Sequence, residues 1–426
     1  MIIKDVTVVT ADEQNPVVKD AAITIKGNII EGITQGGNIP SDEHVIEGNG
    51  RIAMPGMLNC HTHVGMTLFR GYADDMPLME WLRDKIWPLE DKLTYDIVYC
   101  ASLLGILEMI KAGVTSFADM YFFMDATAKA AAESGVRASL ARGLQGPDEH
   151  SDERLEENVR LYNEWNGAGD GRISVMFGPH AVYTCSREYL EKVANVAYKL
   201  HAGVHMHLSE TRQEVEGCIR EHGISPIRLA YEAGLMQNRM IAAHCVYPQE
   251  DDIEIMKDND VRVAYNPVSN MKLGSGFCPA SMYIKEGIKL GFGTDGAASN
   301  NNLSVMKDMQ FAALTEKGRL EDPSVMSAHT ALYTATAGGA AALGMNDVGA
   351  LRPGMKADIV LLDIDGPHAR PMYDPVSHIV YSAKDSDVDT VIIDGKVVME
   401  HKDIKTIDAE KLYYEVERLV KEIEDR

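Results

Sequence analysis

The chain has 426 residues, with 41 Lys plus Arg against 64 Asp plus Glu and a formal charge of −23. That balance, with no clustered basic block, argues against nucleic acid polymers and anionic membrane surfaces as partners and leaves small molecules as the expected ligands. Hydrophobic residues at 45% and charged residues at 25% exclude a disordered chain and supply a large core.

Residues 1–57 read as short strands: VTVVT, then AAITIKGNIIEGI, where Gly27-Asn28 between two apolar runs signals a hairpin. The opening MIIKDVTVVTADEQ has neither the basic start nor the apolar stretch of a secretory signal, so a cytoplasmic location is expected. From 58 to 349, short apolar runs alternate with helical stretches. The runs are MLNCHTH, TSFADMY, RASLARGL, ISVMFGPH, GVHMHLSE, MIAAHCVY, VRVAYNP and KLGFGTDG. Helices such as YDIVYCASLLGILEMIKAG and REYLEKVANVAYKLHAG lie between them, each expected to close at its trailing glycine. Parallel strands need long crossovers and closure removes sheet edges, so these repeats predict an α/β fold, a (β/α)8 TIM-type barrel. Strand texture returns over 350–406 in ADIVLLDID and VDTVIIDGKVVM, with Asp394-Gly395 as a second tight turn. Residues 407–426 predict a terminal helix with Leu412, Val416, Leu419 and Ile423 on one face. The six cysteines form no CxxC pair, and free thiols are expected.

Chemistry in such a barrel belongs at the C-terminal ends of the strands. Side chains alternate along a strand, so His61 and His63 share a face while Cys60 and Thr62 point away. An isolated HxH is more often two ordinary histidines than a ligand pair. Here further strand ends add His207, nearest the mouth of HMHLSE, and Asp295 in GTDG. His205 is assigned to an interior layer. Three imidazoles and one carboxylate, His61, His63, His207 and Asp295, suit one divalent cation, zinc above all, with a position left for water. The fourth strand lacks the lysine that bridges a second metal, which favours a single ion. A cation so held lowers the pKa of water toward about 7. Asp295 is placed to accept a proton from that water, Glu210 to carry protons to an attacked ring and its leaving group, and His244 to polarise the attacking oxygen.

The stretches PGMLNCHTHVGMTLFRGYADDMPLMEWL, WPLEDKLT, GVTSFADMY, GPHAVYTCS, HLSET, AAHCVY, YNPVSNMKLGSG, GTDGAASNNNLSVMKDM and GALRPGMKADIVLLD run in order from about 51 to 363. In them the chain resembles the amidohydrolase superfamily and, within it, the 5′-methylthioadenosine/S-adenosylhomocysteine deaminase family. The resemblance implies that 1–57 and 350–406 form a composite β-sandwich domain beside the 58–349 barrel. It implies hydrolytic removal of the 6-amino group of an adenosine thioether, adenosine or 5′-deoxyadenosine, and a homo-oligomer, tetramer or dimer. By the same resemblance Glu90 meets the ribose hydroxyls, His180 contacts substrate, and Arg142 and Arg154 face the amino-acid tail of S-adenosylhomocysteine. Trp87 offers the adenine an apolar wall, although a buried tryptophan is commonly plain core.

Two other readings stand beside this one. A mononuclear amidohydrolase acting on an aminated or chlorinated heterocycle, such as a guanine or cytosine deaminase or a triazine hydrolase, would use the same metal and Glu210. It would not need Glu90, Arg142 and Arg154. A non-catalytic scaffold would be expected to have lost ligands, and every one is present.

Overall fold

The central strands are rich in apolar and β-branched residues and are buried on both faces except at Arg142, Ser174 and Arg262, as suits strands covered on both sides. In the computed structural model, which describes residues 1–11, 17–36 and 44–425, these strands are β1 (Met57–Thr62), β2 (Val114–Tyr121), β3 (Arg137–Leu144), β4 (Ile173–Pro179), β5 (Gly203–Leu208), β6 (Met240–His244), β7 (Arg262–Tyr265) and β8 (Leu290–Phe292). They pair in parallel and in sequence order from β1 to β8. Past β8 the ring is drawn shut: Asp295 N–H donates to the His61 carbonyl at 2.9 Å, and Thr294 N–H to Asn59 Oδ1 at 3.0 Å. Those two bonds bring the end of the first strand, with His61 and His63, beside the end of the last, with Asp295.

The crossover helices start where the sequence places caps. Thr94 Oγ1 accepts from Ile97 N–H before Tyr95–Lys111, and Ser186 Oγ from Tyr189 N–H before Arg187–Lys199. Tyr95–Lys111 is followed, beyond Ala112, by Gly113 at φ +78°. The second helix departs from expectation. It closes at Leu200, His201 takes the left-handed turn at φ +53°, and Gly203 opens β5 instead of ending the helix.

Strands from both ends of the chain join in one nine-stranded sheet, in which Ile52–Pro55 pairs antiparallel with Ile359–Leu362. Both anticipated hairpins form, Val17–Lys26 with Ile29–Gln35 and Val388–Ile393 with Lys396–Glu400. Their turns pack on each other. A Cβ on Gly395, at φ +73°, would stand 2.2 Å from the Gly27 carbonyl oxygen. Between the C-terminal strands the helix Pro375–Tyr381, capped by Asp374, packs on the barrel helices Ala328–Tyr333 and Val305–Leu320. The terminal helix Ala409–Asp425 buries Leu412, Leu419 and Ile423 and lies against Tyr95–Lys111. All six cysteines are free. No single helix among the described residues is long and apolar enough to cross a membrane.

Candidate active site

At the mouth of the barrel, the side chains ending β1, β5, β6 and β8 meet in one buried cluster. His63 Nδ1–H donates to the Met120 carbonyl at 2.6 Å, and His207 Nδ1–H to the His180 carbonyl at 2.8 Å. Each ring therefore turns its Nε2 inward, and those two nitrogens stand 3.2 Å apart. His61 Nε2 is buried with no hydrogen-bond partner. Asp295 Oδ1 lies 3.2 Å from His63 Nε2 and 3.4 Å from His61 Nε2.

Two such nitrogens at this distance repel unless a proton or a cation lies between them. Burial lowers His61 to about 3 and His207 well below the usual histidine range, so both rings stay neutral and able to act as ligands. Burial acts downward on His63 too, but the Asp295 carboxylate and the Met120 carbonyl outweigh it and push that ring up to about 9. Asp295 is buried, which acts upward, yet His61 and His63 hold its carboxyl well below the ordinary range. The donor atoms of His61, His63 and Asp295 lie within 4.8 Å of one another, as do those of His61, His207 and His244. The neutral His61 and His207 rings, the Asp295 carboxylate and the orphaned His61 Nε2 fit a divalent ion such as zinc, which would take the place of the proton that Asp295 holds on His63.

The surrounding bonds fix each group. His205 is interior, as anticipated, but it also sits with Nε2 2.9 Å from His61 Nδ1. With His61 Nε2 unprotonated, Nδ1–H donates to His205, which orients the ring. Asp295 Oδ2 accepts from Ser269 Oγ at 2.6 Å and Ser299 Oγ at 2.8 Å, leaving Oδ1 for the imidazoles. Asn270 Nδ2 donates to His244 Nδ1 at 2.8 Å. The His244 proton is then on Nε2, 3.9 Å from Glu210 Oε2. Burial lowers His244 to about 4, so it is a neutral donor. Glu210 Oε1 accepts from Ser275 Oγ at 2.9 Å. Burial, and then the Asp295 charge, push the Glu210 carboxyl up to about 8. The Glu214 carboxylate holds the Glu210 backbone in turn, accepting the N–H of Ser209 at 2.9 Å and of Glu210 at 2.7 Å.

The cluster opens on a cavity of about 70 Å³ that Trp81, Trp87, Glu90, His180, Tyr183 and Glu210 line. Burial pushes the Glu90 carboxyl up to about 7 and lowers His180 to about 3. Arg142 and Arg154 line an outer chamber of about 570 Å³. The two chambers share Trp87, Glu90, Phe122 and Gln145. Sequence reasoning gave no role to Ser269, Asn270 and Ser275, although all three lie in YNPVSNMKLGSG, nor to Glu214. Ser269 and Asn270 lie on the short helix Pro267–Lys272 and Glu214 in the first turn of Arg212–His222, and only the packing of these helices over the site reveals what they hold.

The sequence profile of the amidohydrolase family matches residues 52–398. A 5-methylthioadenosine/S-adenosylhomocysteine deaminase of Pelotomaculum thermopropionicum is 47% identical over 421 residues, covering 98% of this chain and 97% of that protein. A protein of the same name from Desulforudis audaxviator is 50% identical over 388 residues, 91% of this chain and 90% of that one. Among solved structures, an adenosine deaminase from Xanthomonas campestris with bound zinc is similar at TM-score 0.95 and 32% identity, over 100% of this chain and 98% of that one. Atrazine chlorohydrolase from Arthrobacter aurescens, complexed with zinc, is similar at TM-score 0.91 and 26% identity, over 98% and 99%. With the profile spanning most of the sequence and nearly half its residues identical across full-length relatives, the chain belongs to the amidohydrolase family.

Proposed function

We propose that this protein is a hydrolytic deaminase that replaces the 6-amino group of an adenosine thioether, 5′-methylthioadenosine or S-adenosylhomocysteine, by oxygen and releases ammonia. The observation that carries this reading is the continuity of three features: a cation-ready donor cluster, a chamber with Glu210 and Glu90, and an outer chamber bearing Arg142 and Arg154. Relatives named for those substrates support it.

His61, His63, His207 and Asp295 would hold one zinc ion per subunit, and the bound ion would supply a water activated for attack at neutral pH. Glu210, protonated near neutrality because burial raises it to about 8, gives its proton to ring N1, where it remains in the product. Water adds to C6. One of its protons passes through Asp295 to the departing amino group, which leaves as ammonia, and the other restores Glu210. His244 Nε2–H donates to the attacking oxygen as its negative charge grows. Glu90 accepts from the ribose hydroxyls, His180 contacts the substrate, and Arg142 and Arg154 take the carboxylate of a longer 5′ substituent. The working location is the cytoplasm and the working form a homo-oligomer.

The test follows loss of adenine absorbance and release of ammonia from both thioethers, adenosine and 5′-deoxyadenosine. Glu210→Gln should keep its zinc and lose about 10²- to 10⁴-fold in kcat, the span of general acid–base catalysis. Zinc-loaded protein that releases no ammonia from any adenosine derivative would overturn the reading. A heterocycle hydrolase is the second reading, favoured by the likeness to atrazine chlorohydrolase; turnover of a free base or a triazine in preference to nucleosides would establish it.

A further inference from the structure

The outer chamber carries more charge than a carboxylate requires. Its cations are Arg142, Arg154 and Arg160, and its walls also present Glu157, Asp91, Asp125 and, where it meets the inner chamber, Glu90. Of these acids Glu157 alone pairs with an arginine of the wall: its Oε2 accepts from Arg142 Nε at 2.7 Å. Asp125 Oδ1 is engaged by Trp165 Nε1 at 3.1 Å.

Arg142 is a nearly buried side chain, 13% exposed, fixed by Glu157 on one edge, by the Gly143 carbonyl at Nη1, and by the Phe122 ring 5.0 Å from its central carbon. Its Nη2 has no hydrogen-bond partner among the described residues. Arg154 spends Nη1 on the Gln145 carbonyl and on Asp148, and its Nη2 is likewise without one. Two guanidinium edges therefore line the same chamber without a protein partner, as a site for an amino-acid carboxylate requires. Glu157 is 39% exposed, so its carboxylate is both held by Arg142 and open to the chamber.

An α-amino acid carries ammonium and carboxylate on the same carbon, so a site that reads both needs an acid and a base side by side. Arg142 and Glu157 form such a pair. We infer that Glu157 receives the α-ammonium group of a zwitterionic 5′ substituent while Arg142 and Arg154 take its carboxylate. This rests on the adenosine-thioether reading and deepens it: Glu157 makes the outer chamber a receptor for a zwitterion and not for any anion. A 5′ tail that carries only negative charge meets the Glu157 carboxylate without compensation, and such like-charge juxtaposition is how a site rejects a wrong ligand.

The experiment compares kcat/KM for three substrates in wild type and in Glu157→Gln, an isosteric change that removes the charge. The substrates are S-adenosylhomocysteine, its desamino analogue (adenosine bearing a 5′ 3-carboxypropyl thioether), and 5′-methylthioadenosine as the tail-free reference. The ratio of S-adenosylhomocysteine to the reference should fall about 10- to 100-fold in the variant, the range of a lost charge-assisted hydrogen bond. The ratio of the desamino analogue to the reference should hold or rise. An equal fall for both tailed substrates would overturn the inference, because Glu157 would then serve only to position Arg142. No fall for either would overturn it as well. If wild type turned over none of the three, the deaminase reading itself would fail, an outcome distinct from both.

Discussion

Arg137, at the start of β3, donates to both carboxylate oxygens of Asp358, Nε to Oδ2 at 2.7 Å and Nη2 to Oδ1 at 3.0 Å, across the junction between barrel and flanking sheet. Its Nη2 also reaches Asp394 Oδ1 at 2.9 Å, and all three side chains are buried. Asp394 keeps Lys356 at 3.6 Å and Arg172 at 3.9 Å as further cations. Asp358 depends on Arg137. Arg137→Met should therefore cost about 3–5 kcal/mol, the penalty of leaving a buried charge without its partner. Denaturant unfolding with zinc held constant measures it. A loss under about 1 kcal/mol would show that the junction tolerates an unpaired Asp358.

The same junction sets an acid limit on stability. Burial acts upward on the Asp394 carboxyl, but Arg137 and Lys356 outweigh it and hold that carboxyl below its ordinary value. A depressed carboxyl contributes stability that is complete above the ordinary aspartate value of about 3.9 and is lost as pH falls through the lower, folded value. Metal-free wild type should thus lose stability below about pH 4, and Arg137→Met should show a flatter decline over that range because part of the contribution is already gone. Parallel curves would remove Arg137 from the acid response.

How much of this was legible beforehand depended on sequence separation. His61 and His63 could be paired from strand parity alone, and Gly27 and Asp394-Gly395 declared their turns through composition. Nothing in either turn announces that one packs on the other. Arg137 reads as an ordinary polar strand residue, since its partners lie 221 and 257 positions away. Glu214 looks like any solvated glutamate of a helix first turn until its carboxylate is found on the Ser209 and Glu210 amides. His205 was legible as interior by parity, but its bond to His61 was not, because parity fixes a face and not a neighbour. The helix Pro375–Tyr381 is short, and its strand-rich surroundings conceal it.

Removal of the metal should abolish turnover and lower stability together. The inward nitrogens of His63 and His207, 3.2 Å apart, and the unpartnered His61 Nε2 lose the charge that reconciles them. A ligand that binds only the folded state stabilises it by about 4 kcal/mol at a thousand times its Kd. Dialysis against a chelator should therefore lower Tm and activity, and one zinc ion per chain should restore both. Asp295→Ala should purify with far less zinc and recover neither on addition. Full activity in the chelated protein would remove the metal from the reaction.

The least obvious dependence concerns Asn270. It touches neither the attacking water nor the inferred ligands, yet its amide donates to His244 Nδ1 at 2.8 Å, and Asn266 Nδ2 stands 3.3 Å from the same nitrogen. A donor at Nδ1 keeps the His244 proton on Nε2, the face directed toward Glu210. In Asn270→Leu that preference is lost, and a share of the rings will carry the proton on Nδ1, presenting a lone pair where a donor is needed. Substitutions of such supporting partners cost about 10- to 100-fold. The loss should fall on kcat, with zinc content and KM little changed, because the ligand set and the substrate contacts are untouched. Nitrogen NMR of labelled histidine supplies an independent readout: wild type should hold His244 as the Nε2–H tautomer, and the variant should show a mixture. A variant with reduced kcat but an unaltered tautomer would mean that Asn270 shapes the helix Pro267–Lys272 and not the proton.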